Sequence, residues 1–544
     1  MKQKLAVLLA VASLFTCLSG CGSGSGSGAS SSTNPPSGSG TAVKEMALVL
    51  SDSAVTLDGA AVVSDAEGAV TLSSDIVYYE AGKGSEYGEG TQKDEHSPEE
   101  AAAHKVVTIC QPGTYRVSGS LSAGQLAVDL GEDAKTDPDA VVTLVMDGVD
   151  ITCTVAPAVI FYRVFECDTD WVAYDNEEVD AYAGSSTMDT SAAGANIILA
   201  DDSINNINGA YVARIYKEGT TKKLHKYDGA FYSRMSMNIS AESAGTGTLN
   251  IQAENEGLDS ELHLTINGGI INIKAENDGI NTNEDGVSVT TINGGTLNIR
   301  VSGETGEGDG IDSNGWLVIN GGSVLAMSCA SSMDSGIDAD NGVYINGGSV
   351  VATGNMLDRI EGSQTYAVFS FAQQQSPFGT YYLKNQQGDT IFAAEPANAF
   401  TNMVMSSPEL VPGTYTLWLD DSQLGGIAME GGMGGRPGFG GGFFDSVPKD
   451  SEGEPIRPED FDVHIYPVPG GVAGDPPPED GFNRKPPEHS DGFNGLEPPE
   501  YYEDDIMPPP GGFFGEVSPE SLVGDFEIKE GANFFGAVDI LPVG

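Results

Sequence analysis

Between residues 257 and 354 apolar and polar positions alternate with period two in short runs, and the runs recur. Residues 265–273 read TINGGIINI, 291–299 TINGGTLNI, 318–326 VINGGSVLA and 344–352 YINGGSVVA. The glycine pairs begin at 268, 294, 321 and 347, so the steps are 26, 27 and 26 residues. A fixed period of this size, built from β-like runs with no helical pattern, predicts a solenoid in which each coil stacks on the last. The alternation puts Ile266, Ile271 and Ile273 on one face, with Ile292, Leu297 and Ile299, then Ile319, Val324 and Ala326, then Ile345, Val350 and Ala352 as their equivalents. These form the predicted core. Asn267, Asn293, Asn320 and Asn346 recur just before the glycines and predict a ladder of side-chain amides bonded from coil to coil. The glycine pair predicts a corner in a backbone conformation that side chains oppose.

Outside the repeats the pattern is weaker. Short β runs separated by acidic or glycine-bearing turns fill residues 46–151, including GTYRVSG (113–119) and VTLVMDGVDIT (142–152). Two polar stretches, 74–104 and 216–226, break the alternation and are expected to loop out from the coils. After Gly354 the period stops, and strand-like runs in 363–421 predict a small β module that covers the open end of the stack. The glycine- and proline-rich acidic sequence beyond it has too few apolar residues for a core. The expected organisation is all-β: a signal peptide at 1–20, a linker at 21–45, a right-handed parallel β-helix at 46–360, a capping module at 361–422 and a mostly disordered tail at 423–544.

Charge narrows the function. With 25 basic and 79 acidic residues the chain carries a formal net charge of −54, which disfavours nucleic acid and makes divalent cations the natural counterweight. At the N-terminus Lys2 and Lys4 precede an apolar run, 5–15, too short to span a bilayer, followed by Leu18-Ser19-Gly20-Cys21. This ending resembles a bacterial lipobox, which implies lipidation of Cys21 and anchorage on the extracellular face of the cell membrane, with the Gly/Ser-rich stretch behind it as a tether. Cys110, Cys153, Cys167 and Cys329 are too scattered for a disulfide framework or a zinc site and read as single thiols.

The other half of each repeat is acidic: EGLD (256–259), DGIN (278–281), DGID (309–312) and SGID (335–338). Coils stack about 4.8 Å apart, and two Ca²⁺–oxygen bonds of about 2.4 Å span that distance. Glu256, Asp259, Asp278, Asn281, Asp309, Asp312, Asp338 and Asp340 are therefore the candidate Ca²⁺ ligands. Histidine is absent from the motif, which excludes the usual transition-metal donor set.

The phrases DGINTNEDGVSVTTINGGTLNI, EGDGIDSNGWLVINGG and SGIDADNGVYINGGSVVATGN, with GTYRVSG and DGAFYS, resemble a family of calcium-binding parallel β-helix proteins of clostridial cell surfaces that carry a carbohydrate-binding domain. The resemblance spans residues 54–420 and implies a pectate-lyase-like fold that binds plant cell-wall polysaccharide, both acidic pectic polymers and cellulose. Joined to the charge argument, it gives the expectation of a monomeric, non-enzymatic surface lipoprotein that holds polyuronate through calcium. Two other classes remain: a structural or adhesive solenoid, and a calcium-dependent polysaccharide lyase. A lyase requires an Arg or Lys side chain beside the metal to take the C5 proton, and Lys274 and Arg300, each six residues past the first glycine of its pair, are its candidates.

Overall fold

The computed structural model describes residues 44–64, 68–84, 87–179, 181–217, 220, 222–303, 306–429 and 521–541. The expected signal peptide, Cys21 and most of the linker lie outside them, as does the tail between 430 and 520. The described chain is nearly all β. Its helices are short, at Pro98–Ala102 and Thr169–Asp175, and none is long and apolar enough to cross a membrane.

Three rows of parallel strands carry the repeats. One row pairs Ala195–Leu199, Met237–Ala241, Leu264–Ile266, Val289–Ile292, Trp316–Ile319 and Val343–Ile345 in turn. A second pairs Ile204–Gly209, Thr248–Ala253, Ile270–Ala275, Thr296–Val301, Ser323–Met327 and Ser349–Gly354. Both belong to a 26-stranded sheet, while the third row lies in a separate 7-stranded sheet. That third row runs through Val159–Arg163, Gly229–Ser233, Glu256–Ser260 and Ile280–Thr282, and continues as single bridges to Ile311 and Ile337.

The registers explain why the repeat phrase is strict. Ile273 pairs with Ile299 and Ile299 with Ala326, so like side chains stack, and all twelve predicted core positions are buried in one apolar cluster. A one-residue slip would turn this whole set outward. The asparagine ladder is also present: Nδ2 of Asn293, Asn320 and Asn346 donates to Oδ1 of Asn267, Asn293 and Asn320 at 3.0, 3.0 and 3.1 Å. The second glycine of each pair has positive φ, from 83° at Gly348 to 94° at Gly269. At the first, a Cβ on Gly321 would meet the Asn293 carbonyl oxygen at 2.4 Å. The corner thus needs both glycines for different reasons.

Three expectations about extent are revised. The stretch 74–104 does not simply loop out, because Tyr79 is 1% exposed and joins the main core. Its Gly88 bridges Ile215, and Glu89 pairs with Arg214 at 2.9 Å. The two polar insertions therefore pack on one another. The second is a hairpin, Val212–Tyr216 with Lys223–Tyr227. Finally, the range read as tail returns at its end to regular structure. Phe526–Ile528 and Ala532–Ile540 pair with strands of the terminal module, and Ser422–Ala428 extends it past residue 422. The module has its own aromatic core around Phe369, Phe400, Phe526 and Phe535. Its strand Phe400–Ser406 lies antiparallel on Ser349–Gly354, which closes the edge of the second row.

Candidate metal centre and cation-closed end of the acidic row

The third row and the turns that lead into it bring the acidic halves of the repeats together. Asp259 stands opposite Asn281 in register, and Gly229 opposite Glu256. Further along, Asp278 and Asp309 each place one oxygen on the backbone of the next repeat. The Asp309 N–H donates to Asp278 Oδ1 at 2.7 Å, and the Ser335 N–H donates to Asp309 Oδ1 at 2.5 Å. One oxygen of each of these carboxylates is thereby tied to the scaffold, which fixes the direction of the other.

At the C-terminal end of the row, carboxylate oxygens of Asp309, Asp312 and Asp338 lie within 4.8 Å of one another. Burial first, and then the charges of their neighbours, raise all three pKa values. Asp309 is pushed up to about 8, with Asp338 the leading neighbour. Asp312 rises to about 6, with Asp340 and Asp358 adding to burial. Asp338 rises to about 7, with Asp358 and Asp312 adding to burial. Asp278 is likewise raised by burial and by Asp312 and Asp309. Three half-buried carboxylates facing one point repel each other unless protons or a cation intervene.

The N-terminal end is built differently. Glu256 and Asp259 are 4% and 0% exposed, and each has one oxygen bonded: Asn281 Nδ2 donates to Glu256 Oε1 at 3.1 Å and Asn283 Nδ2 to Asp259 Oδ1 at 2.7 Å. Glu256 Oε2, Asp259 Oδ2 and Asn281 Oδ1 are buried with no hydrogen-bond partner. Here the insertion hairpin supplies a cation. Lys226 Nζ pairs with Asp228 Oδ2 at 2.8 Å and donates to Asn283 Oδ1 at 3.2 Å. Burial alone would lower the Lys226 pKa, but Asp228, Glu256 and Asp259 outweigh it and hold the ammonium above its ordinary value. Lys223 pairs with Glu261 on the same side at 3.4 Å.

The eight predicted ligands thus fall into two groups rather than one uniform row. Glu256 and Asp259 lie in the field of Lys226, and Asn281 is bonded to Glu256. Asp309, Asp312 and Asp338 converge, with Asp278 bonded to the backbone of Asp309. Asp340 is exposed and outside the converging set; it acts on Asp312 and Asp338 by charge alone. Asp228 and Lys226 were missed. The acid–glycine dipeptide Asp228-Gly229, written like Glu256-Gly257 and Asp278-Gly279, was a signal for the first. Nothing in the local sequence marks Lys226 as turned inward. Lys274 and Arg300 stack in register as expected, but on the second row; the lysine whose field acts on Glu256 and Asp259 is Lys226.

The donor set is oxygen only, with no histidine and no cysteine, as hard divalent cations require. The orphaned buried oxygens and the three converging carboxylates both fit such an ion.

A family model described as "Carbohydrate-binding domain-containing protein" matches residues 103–177 and 168–365. This span holds both halves of the acidic row. The chain is similar there to carbohydrate-binding proteins, which supports polysaccharide binding in general. Among solved structures, the polysaccharide lyase-like protein from C. thermocellum, a gadolinium derivative, aligns at 18% identity and TM-score 0.31, covering 59% of this chain and 90% of that one. A likeness of that size supports no inference. No curated protein matches.

Proposed function

We propose that the chain is a right-handed parallel β-helix that binds acidic plant cell-wall polysaccharide, of the polygalacturonate type, with calcium. It does so as a lipoprotein anchored through Cys21 on the outer face of a bacterial membrane. The observation that carries the metal part is the convergence of Asp309, Asp312 and Asp338 with raised pKa values and no cation paired to them among the described ion pairs. The carbohydrate part is supported by the family match over 103–365. The winding is supported by three parallel rows stepping one repeat at a time, with handedness following the general rule for parallel crossovers.

Asp309, Asp312 and Asp338 would hold the ion, with Asp278 adjoining. When bound, calcium supplies positive charge that both coils and the uronate carboxylates of a glycan can share. Asp278 and Asp309 contribute fixed oxygen positions, each set by a backbone N–H that it accepts from the next repeat. Loss of protons from the three acids accompanies loading, because their raised pKa values keep part of the set protonated near neutrality.

Binding without catalysis is the reading favoured over a lyase. A proton-abstracting lysine must be neutral near the working pH. Lys226 beside the row is held protonated by Asp228, Glu256 and Asp259. Polygalacturonate titrated with the mature protein in calcium and then in EGTA is the test. The affinity falls at least about tenfold on chelation if calcium bridges the two polyanions; equal affinity in both contradicts the bridge. A steady rise of unsaturated uronide absorbance would overturn the non-enzymatic reading.

A further inference from the structure

The second row carries, on its outward face, a polar groove of ≈ 410 Å³ lined by Asp150, Asn206, Asn250, Gln252, Asn272 and Lys274 among others. It is separate from the acidic row, which lies on the third row and its turns. The groove has a second amide ladder, distinct from the one beside the glycine pairs. Nδ2 of Asn250, Asn272 and Asn298 donates to Oδ1 of Asn206, Asn250 and Asn272 at 2.9, 2.9 and 2.8 Å. A primary amide has two N–H donors and two acceptor lone pairs. Each interior rung spends one of each on its neighbours and keeps one of each to offer outward. Because the ladder locks the rotamers, a ligand meets these groups already ordered and does not bear the cost of ordering them.

Beside the ladder, two residues further along each strand, runs Asn208, Gln252, Lys274 and Arg300, paired coil to coil. Lys274 and Arg300 are exposed, and Arg300 is steadied by Nε donating to Asn398 Oδ1 at 2.8 Å. In a chain of net charge −54, two adjacent outward cations flanking a strip of ordered amides make a local exception to the field. The chemistry complementary to that strip is a string of hydroxyls with a carboxylate at one edge.

We infer that this groove is a direct-contact subsite for an acidic glycan segment. The amides of Asn250, Asn272 and Gln252 take the sugar hydroxyls, and Lys274, backed by Arg300, takes a uronate carboxylate without a metal between them. The inference rests on the polysaccharide reading given above and says which face of the coils meets the sugar. Lys274 precedes Asp278 by four residues, so the strip ends at the corner that leads into the acidic row, and one polymer can engage both.

The test is calorimetry of oligogalacturonate on the full mature chain, in saturating calcium throughout so that metal loading is constant. Lys274→Gln, an exposed position, weakens binding roughly tenfold, the scale of one charge-assisted hydrogen bond. Gln252→Ala weakens it by a smaller factor, and Lys83→Gln, a surface cation away from the groove, leaves it unchanged. Methyl-esterified oligomer, which has no carboxylate for Lys274, shows no difference between the native chain and Lys274→Gln. Unaltered oligogalacturonate affinity in Lys274→Gln and Gln252→Ala, with the native chain binding, overturns the groove alone. Absence of binding by the native chain overturns the polysaccharide reading, and the groove with it.

Discussion

The two ends of the acidic row face the same electrostatic problem and meet it differently. At the N-terminal end Lys226, brought by the strands Val212–Tyr216 and Lys223–Tyr227, pairs with Asp228, donates to Asn283 and acts by its charge on Glu256 and Asp259. At the C-terminal end, Asp309, Asp312 and Asp338 converge with no such lysine among the described residues, and their pKa values rise to about 8, 6 and 7. One end carries a counter-ion within the chain; on the function proposed above, the other takes one from solution. A row of repeated acids is thus not a row of equivalent surroundings, because an insertion brings a lysine to one end.

The largest effect that would break this comparison is on Lys226. Lys226→Met in calcium-free buffer removes one partner of a largely buried pair and should cost about 3–5 kcal/mol in urea denaturation. A loss below about 1 kcal/mol would make it an ordinary surface pair and erase the distinction between the ends. Asp309→Asn should act with the opposite sign when calcium is absent, stabilising by about 1 kcal/mol through relief of repulsion. The same change should weaken calcium binding roughly tenfold to a hundredfold by calorimetry.

The pH dependence sharpens the contrast next. Asp309, Asp312 and Asp338 have folded pKa values above the ordinary 3.8. Their favourable contribution is therefore fully present below about pH 4 and is lost as pH rises through about 6 to 8. Calcium-free protein should melt at progressively lower temperature across that window, and saturating calcium should flatten the slope. Calcium affinity should rise over the same interval as protons cease to compete. A melting temperature that climbs from pH 5 to 8 without calcium would contradict the assignment. The smallest effect belongs to the scaffold: Asn320→Ala interrupts the exposed amide ladder and should cost about 1 kcal/mol, equally with and without calcium.

Much of this was legible in the residues. The INGG phrase gave the core positions, the amide ladder and the glycine corner because each depends on local alternation repeated at constant spacing. Stacking then turns a sequence period into a spatial register. The acidic positions were legible for the same reason, and the convergence follows from Asp312 and Asp338 sharing one place in successive repeats, with Asp309 three residues before Asp312. What escaped lies where the chain leaves the period. Lys226 sits in an insertion whose polarity reads as solvent-facing, and its inward turn depends on packing against residues 87–96, far away in sequence. The strand Ala532–Ile540 was hidden for a related reason. Its partner Tyr366–Gln375 is more than a hundred residues away, and a single strand carries no repeat to announce it. The second amide ladder was written in the sequence as Asn250, Asn272 and Asn298, the last two inside the phrase already read as scaffold. Only the pairing to Asn206, across an irregular stretch of chain, reveals its length.

The central claim is that the C-terminal end of the row is a calcium site. Isothermal calorimetry of calcium into the full mature chain at pH 7, with Asp312→Asn in parallel, tests it most directly. The account predicts a saturable binding heat with proton release for the native chain, and its loss or marked weakening in Asp312→Asn. No saturable heat for the native chain, or an identical isotherm for the variant, would contradict it.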